Sequence, residues 1–228
     1  MKKYLKGVEA GVRNIRNNAI RKIISGKAGK KILFEMIPKD IYMMVSRQSD
    51  HVMCFDPHEF VGQVIYSVGN YDRQLVDDML ELLHRRELIP GEGGVVLEVG
   101  ANIGTQTVYF CKSRFVGRVL AVEPDPRNLE YLRNNIGWNG LNDMVDVVPC
   151  AIGEAPSRGQ LYRSKGNYGG SSLFAANHDD AVSVDIKPFS QILETTGIDE
   201  RSISLVWMDI EGAEPMACRS MLGLLERR

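Results

Sequence analysis

Between Val95 and Thr107 the chain reads VVLEVGANIGTQT: the apolar residues Val95, Val96, Leu97 and Val99 enclose one acid, Glu98, and run straight into Gly100 and Gly104. An unbroken apolar run of this kind reads as a strand buried on both faces, which belongs to a parallel sheet covered by helices. The glycines break the run into a turn that is followed by a helix. Helix N-termini carry N–H groups without intrahelical partners, and glycine admits a ligand where a Cβ would clash. The stretch therefore implies a doubly wound α/β sheet with a ligand over its crest.

A dinucleotide turn spaces its glycines as G-x-G-x-x-G, the middle one clearing room for a pyrophosphate. Here the turn is Gly100-Ala101-Asn102-Ile103-Gly104. The Asn102 side chain would crowd a pyrophosphate but can hydrogen-bond a smaller polar group, which disfavours a nicotinamide-dependent reductase. Nineteen residues after Gly104 a second apolar run, RVLAV, delivers Glu123 and Pro124 to a strand end. A carboxylate there can accept both hydroxyls of a ribose. A phosphate-free nucleoside satisfies both observations, and S-adenosyl-L-methionine is the common one. A plain strand–helix connection remains the bland reading of the turn alone, and Glu123 in register weighs against it.

The 228 residues suffice for one α/β domain with a short extension, and 44% hydrophobic with 25% charged residues is a globular composition. The net charge of −1 conceals an asymmetry. Residues 1–31 hold ten Lys/Arg against one acid, leaving 18 basic and 28 acidic residues, a net of −10, for the rest. An acidic body argues against general nucleic-acid binding. Cys54, Cys111, Cys150 and Cys218 stand far apart without metal-ligand or disulfide spacing, so no zinc site is expected and a reducing compartment fits. No apolar run reaches the roughly 18 residues of a membrane span, and the expected location is cytoplasmic.

Within the basic extension Leu5, Val8, Val12, Ile15, Ala19 and Ile23 share one helical face. Such a helix packs on the catalytic domain or a partner protein, or lies peripherally on an anionic membrane. In residues 32–90, the pieces KILFEMI, IYMMVS and QVIYSV read as hairpin strands of a cap, followed by a lead-in helix over Leu75 to Leu83. The main domain spans 91–228. A helix begins at Pro126 with Leu129, Leu132 and Ile136 on its buried side. VDVVPCAI, Val145 to Ile152, is the third strand, its Ala151 falling near an adenine. YGGSS, Tyr168 to Ser172, reads as a loop, or as a flap over substrate. Ala181 to Ile186 is a strand and Phe189 to Leu193 a helix.

In ISLVWMDIEGAEPM a strand, Ile203 to Met208, ends at Asp209 and is followed by Glu211, Gly212 and Glu214. Strand carboxyl ends line the crevice in open α/β sheets, which places Asp209 and Glu211 beside the ligand. Acids at a helix start also cap it, the bland reading, weightiest for Glu214.

Taken in order, LEVGANIGTQT, AVEPDP, NNIGWNGL, VDVVPCAIGE, GGSSLF and WMDIEGAE resemble the FkbM-type S-adenosylmethionine-dependent methyltransferases, over roughly Gly62 to Leu225. The resemblance implies a class I, Rossmann-like methyltransferase fold and O-methylation of a hydroxyl on a sugar, glycan or secondary metabolite. It places Glu98, Gly100, Ala101, Asn102, Gly104 and Thr105 at the methionine-side turn, and Glu123 with Pro124 at the ribose. Ala151 falls at the adenine, and Asp209 with Glu211 stand at the reaction crevice. Tyr71, in GNYDRQ, matches a lead-in position where the family often has Tyr-Glu; Asp72 here is shorter. Asp209, then Glu211, would orient or deprotonate the hydroxyl, either desolvated or with a divalent ion between them. The class I sheet has seven strands, and this sequence stops after the helix that follows the fourth. The expectation is therefore a truncated sheet, whose exposed apolar edge invites self-association. A non-catalytic cofactor-binding or assembly subunit is the alternative.

Overall fold

The computed structural model describes residues 26–174 and 180–226. The expected basic helix over residues 4–24 lies outside them. The described residues divide into two compact units, with the boundary between Tyr42 and Met43. In the first, Lys27–Glu35 is helix α1. It contains most of KILFEMI, so that stretch is helical and not a hairpin strand. A short apolar run does not distinguish the two states, and the i to i−4 bond from Met36 N–H to the Ile32 carbonyl (3.1 Å) closes the helix.

The second unit opens with an antiparallel hairpin, β1 (Met44–Arg47) and β2 (Val52–Phe55). QVIYSV falls in helix α2 (Phe60–Val68), again where a strand was expected. Its signals are local: the Glu59 side chain accepts the Gly62 N–H at 3.0 Å, and Gly69 closes the helix at φ 94°. Helix α3 (Arg73–Arg85) is the lead-in helix, and β3 (Gly94–Val99) follows. Next come α4 (Thr105–Lys112), β4 (Val116–Val122), α5 (Pro126–Trp138) and β5 (Val145–Val148).

VDVVPCAI is not one strand. Pro149 cannot donate to a ladder, and the chain leaves β5 there, re-entering as β6 (Ala151–Ile152) in a different sheet. That sheet runs β6–β8–β7, with β7 at Ser157–Tyr162 and β8 at Ala181–Lys187. Helix α6 (Phe189–Thr196), strand β9 (Ile203–Met208) and helices α7 (Glu214–Ser220) and α8 (Leu222–Leu225) complete the described order.

The main sheet is parallel throughout, in the order β5–β4–β3–β9. All six residues of β3 are buried, and their alternation sorts the core into two layers. Val96 packs on one face with Leu80 of α3, Val108 of α4 and Leu129, Leu132 and Ile136 of α5. Val95, Leu97 and Val99 pack on the other with Phe189 and Ile192 of α6, Ala217 of α7 and Leu224 of α8. This is the doubly wound, Rossmann-like arrangement that the sequence implies. The hairpin is joined to α5 by two asparagines that stand in for strand neighbours. Asn135 pairs with both Cys54 main-chain groups (2.6 and 3.0 Å), and Asn139 with both of Val52 (2.8 and 2.7 Å). Among the described residues β9 pairs only with β3, and from Ser204 to Met208 it is partly exposed.

Candidate active site

The site forms where β3, β4 and β9 end side by side. The Val122 carbonyl accepts from Gly100 N–H (2.9 Å) and Ala101 N–H (3.1 Å), and the Val99 carbonyl accepts from Asp209 N–H (3.0 Å). Gly100 has φ 89°, and a Cβ there would lie 2.1 Å from the Asp209 carbonyl oxygen. Gly104 has φ 85°, and a Cβ would lie 2.6 Å from Leu132 Cδ1. Both glycines therefore let protein approach protein. Asn102 between them also adopts a positive φ, 51°.

A cavity whose empty space, counted out into open solvent, is about 580 Å³ lies over this crest. Of the residues singled out in the sequence, Gly100, Asn102, Glu123, Pro124, Ala151 and Asp209 line it together. Tyr71, Glu98, Ala101, Gly104, Thr105 and Glu211 do not line it. Glu98 is on the opposite face of β3 from Val99 and is 1% exposed; it accepts from Thr107 Oγ1 at 2.6 Å, and burial pushes its carboxyl up to about 8. Ala101, Gly104 and Thr105 are buried under the turn. Glu211 is exposed at φ 49°, and its carbonyl accepts from Ser172 Oγ (2.8 Å). Glu214 caps the start of α7, accepting from Ile210 N–H (3.2 Å) and Gly212 N–H (2.9 Å). Tyr71 is half-buried, its ring edge-on to Phe60 at 6.3 Å. Burial, then the charges of Asp72, Asp209, Glu59 and Glu211, hold its hydroxyl proton more tightly than usual.

Glu123 is held in place by Asn102 N–H and Asp125 N–H, each at 2.8 Å, and by Asn128 Nδ2 at 3.4 Å. Burial outweighs these donors and pushes its carboxyl up to about 7. Asp209 stands at the rim, open to solvent on one side. Partial burial raises its proton affinity above the usual carboxylate range, with the charges of Glu214 and Asp72 adding to it.

The cavity wall beyond Asp209 comes from the YGGSS segment, which forms a 3₁₀ turn at Tyr168–Gly170. Four interactions pin it. Arg163 grips the fully buried Asp125 with two bonds (2.8 and 2.6 Å), Tyr168 Oη donates to Asp56 at 2.7 Å, and Tyr168 N–H donates to Glu59 at 3.2 Å. The Arg127 guanidinium lies 3.2 Å above the Tyr168 ring. Sequence reasoning found the segment but none of these anchors, which come from positions 38 to 112 residues away; the first half of the chain gives no local cue that Asp56 and Glu59 serve a loop so distant.

Two amide oxygens in the lining, Asn102 Oδ1 and Asn128 Oδ1, are buried without a partner. With Glu123 they form a set of acceptors, and no Lys or Arg among the described residues lines the cavity. Such a set suits a ligand rich in donors and poor in negative charge, which fits S-adenosylmethionine and not a pyrophosphate.

The family described as the methyltransferase FkbM domain matches residues 98–228. The 2-O-methyltransferase NoeI of Sinorhizobium fredii is 27% identical over 150 residues, which cover 58% of this chain and 60% of that protein. A probable ribosomal RNA small subunit methyltransferase A of Thermococcus onnurineus is 37% identical over 67 residues, covering 29% of this chain and 24% of the relative. The crystal structure of a methyltransferase FkbM from Methylobacillus flagellatus is similar over 60% of this chain and 31% of its own, at 23% identity and a TM-score of 0.42. The chain thus spans about 60% and about a quarter of the lengths of these two curated relatives. With its match running from Glu98 at the end of β3 to the last residue, this chain belongs to the FkbM methyltransferase family, whose cofactor is S-adenosylmethionine.

Proposed function

We propose that this chain methylates a hydroxyl group of a sugar, glycan or secondary metabolite. One observation carries the reading: Glu123 and Asp209, from different strands, open onto a single cavity. Glu123 and Pro124 hold the ribose end and Ala151 the adenine end. Asn102 and Gly100 take the methionine end, next to Asp209. When bound, S-adenosylmethionine supplies a methyl group already activated on a sulfonium.

The protein's task is then alignment and removal of one proton. Asp209 accepts the acceptor's hydroxyl proton as the new C–O bond forms. Its raised proton affinity makes it a better base than a free carboxylate. Glu211, exposed beside it, orients the acceptor from the rim. Asp72, Glu211 and Glu214 make the surroundings of Asp209 acidic, which favours a neutral or cationic acceptor over a polyanion such as nucleic acid. The name of the NoeI relative, a 2-O-methyltransferase, supports a hydroxyl acceptor.

The test is transfer of labelled methyl from the cofactor to glycan and small-molecule extracts. Asp209→Asn is expected to lower turnover by about 10²–10⁴ while product affinity changes less than about threefold. Turnover at the level of the unmodified chain would remove Asp209 from the base role.

A further inference from the structure

The acceptor inventory of the cavity goes beyond the one carboxylate that the sequence singles out. Glu123 Oε1 already takes two donors, Asp125 N–H and Asn128 Nδ2, while Oε2 takes one, Asn102 N–H. Each carboxylate oxygen has two lone-pair sites, so Glu123 has room for one more donor, on Oε2. A ribose diol brings two.

Asn128, in the first turn of α5, is 2% exposed and lines the cavity beside Glu123. Its Nδ2 faces the carboxylate and its Oδ1 has no partner. Reversing the amide would set oxygen against carboxylate, so the bond to Glu123 fixes which end is free. A buried amide oxygen is costly to leave unpaired. One that lines a ligand cavity is satisfied most directly by a donor on the ligand. The two side chains touch through Asn128 Nδ2 and Glu123 Oε1 (3.4 Å) and line the same cavity, so one ligand group can meet both.

We propose that two residues share the ribose of the cofactor: Glu123 Oε2 accepts one hydroxyl and Asn128 Oδ1 accepts the other. The assignment rests on the functional reading above and makes Asn128 a binding residue for the donor. The carboxylate alone would leave the second hydroxyl buried without an acceptor. The division also gives the neutral amide a part in recognition that does not depend on the protonation of Glu123.

The test is calorimetric binding of S-adenosylhomocysteine and of its 2′-deoxy and 3′-deoxy derivatives to the full chain, unmodified and as Asn128→Leu or Asn128→Ala. In the unmodified chain each missing hydroxyl is expected to weaken binding by about 5- to 100-fold. In either variant the parent compound is weakened by a similar factor, and one deoxy derivative then binds as tightly as the parent while the other keeps its penalty. Variants that retain both penalties overturn the assignment, as does an unmodified chain that ignores both deletions. A measurement without mutation stands beside these: the Asn128 side-chain amide resonances should shift with the parent and one derivative but not with the other. A shift that is the same for all three ligands, or absent for all, also overturns it. If the unmodified chain binds no S-adenosylhomocysteine at all, the functional reading itself fails; retained discrimination in the variants removes only the role of Asn128.

Discussion

At the scale of single residues, Glu123 ties recognition to pH. In the free protein burial pushes its carboxyl up to about 7, so it is partly protonated near neutrality. A hydroxyl donating to it favours the ionised form and lowers that value in the complex. Affinity for S-adenosylhomocysteine should therefore be greatest above pH 8 and fall as the pH drops through 7, by up to about tenfold per unit. Binding isotherms between pH 5.5 and 8.5 measure this, and a flat profile would mean that the ligand leaves the carboxyl untouched. Glu98 reaches a similar state for the same reason, burial, with a different partner. It is a buried acid whose carboxyl is pushed up to about 8 and whose partner is the Thr107 hydroxyl. The two carboxylates thus look alike in the sequence, but one lines the cavity and the other helps to fasten β3 to α4.

At the scale of elements, the two glycines of the first turn differ in what they exclude. Gly100→Ala forces a side chain against a main-chain oxygen 2.1 Å away and keeps a left-handed backbone, so the end of β9 must part from the turn. A loss of about 2–4 kcal/mol is expected. Gly104→Ala meets only the tip of Leu132 and should lose about 1–2 kcal/mol, mostly from its backbone conformation. Urea denaturation of the pair checks the order; equal losses would contradict this account of Gly100. The roof offers a second test. Arg163→Leu leaves the fully buried Asp125 short of its main partner, with an expected cost of about 3–5 kcal/mol. Limited proteolysis within residues 163–174 should accelerate in the same variant.

These elements also show what could be read beforehand. The turn, the place of Glu123 at a strand end, α5 and β9 are legible because buried parallel strands and their following helices leave strong periodic marks at Val95 to Val99, Leu129 to Ile136 and Ile203 to Met208. Most of KILFEMI and QVIYSV are helical despite β-favouring residues; for QVIYSV the helix signals, Glu59 and Gly69, stand outside the run itself. The split at Pro149 has a local cause in the sequence, a residue without an N–H to give to the ladder. The anchors of the roof were not written locally at all, because Asp56, Glu59 and Asp125 acquire that role only when distant segments meet.

At the scale of the whole chain, the parallel sheet ends, among the described residues, in β5 on one side and β9 on the other. β9 pairs on one side with β3, and Leu205 to Met208 are apolar and partly exposed. Unpaired strand edges template association, so the 228-residue chain should self-associate with rising concentration. Light scattering from micromolar to millimolar protein measures this, and a constant monomer mass would show the edge to be protected. The strongest restraint on the site lies elsewhere, in Asp125. Its side chain caps α5 and clamps Arg163, and its N–H steadies Glu123. Floor and roof of the cavity are moored to the same post, so a disturbance of Asp125 is felt on both sides of the ligand space at once.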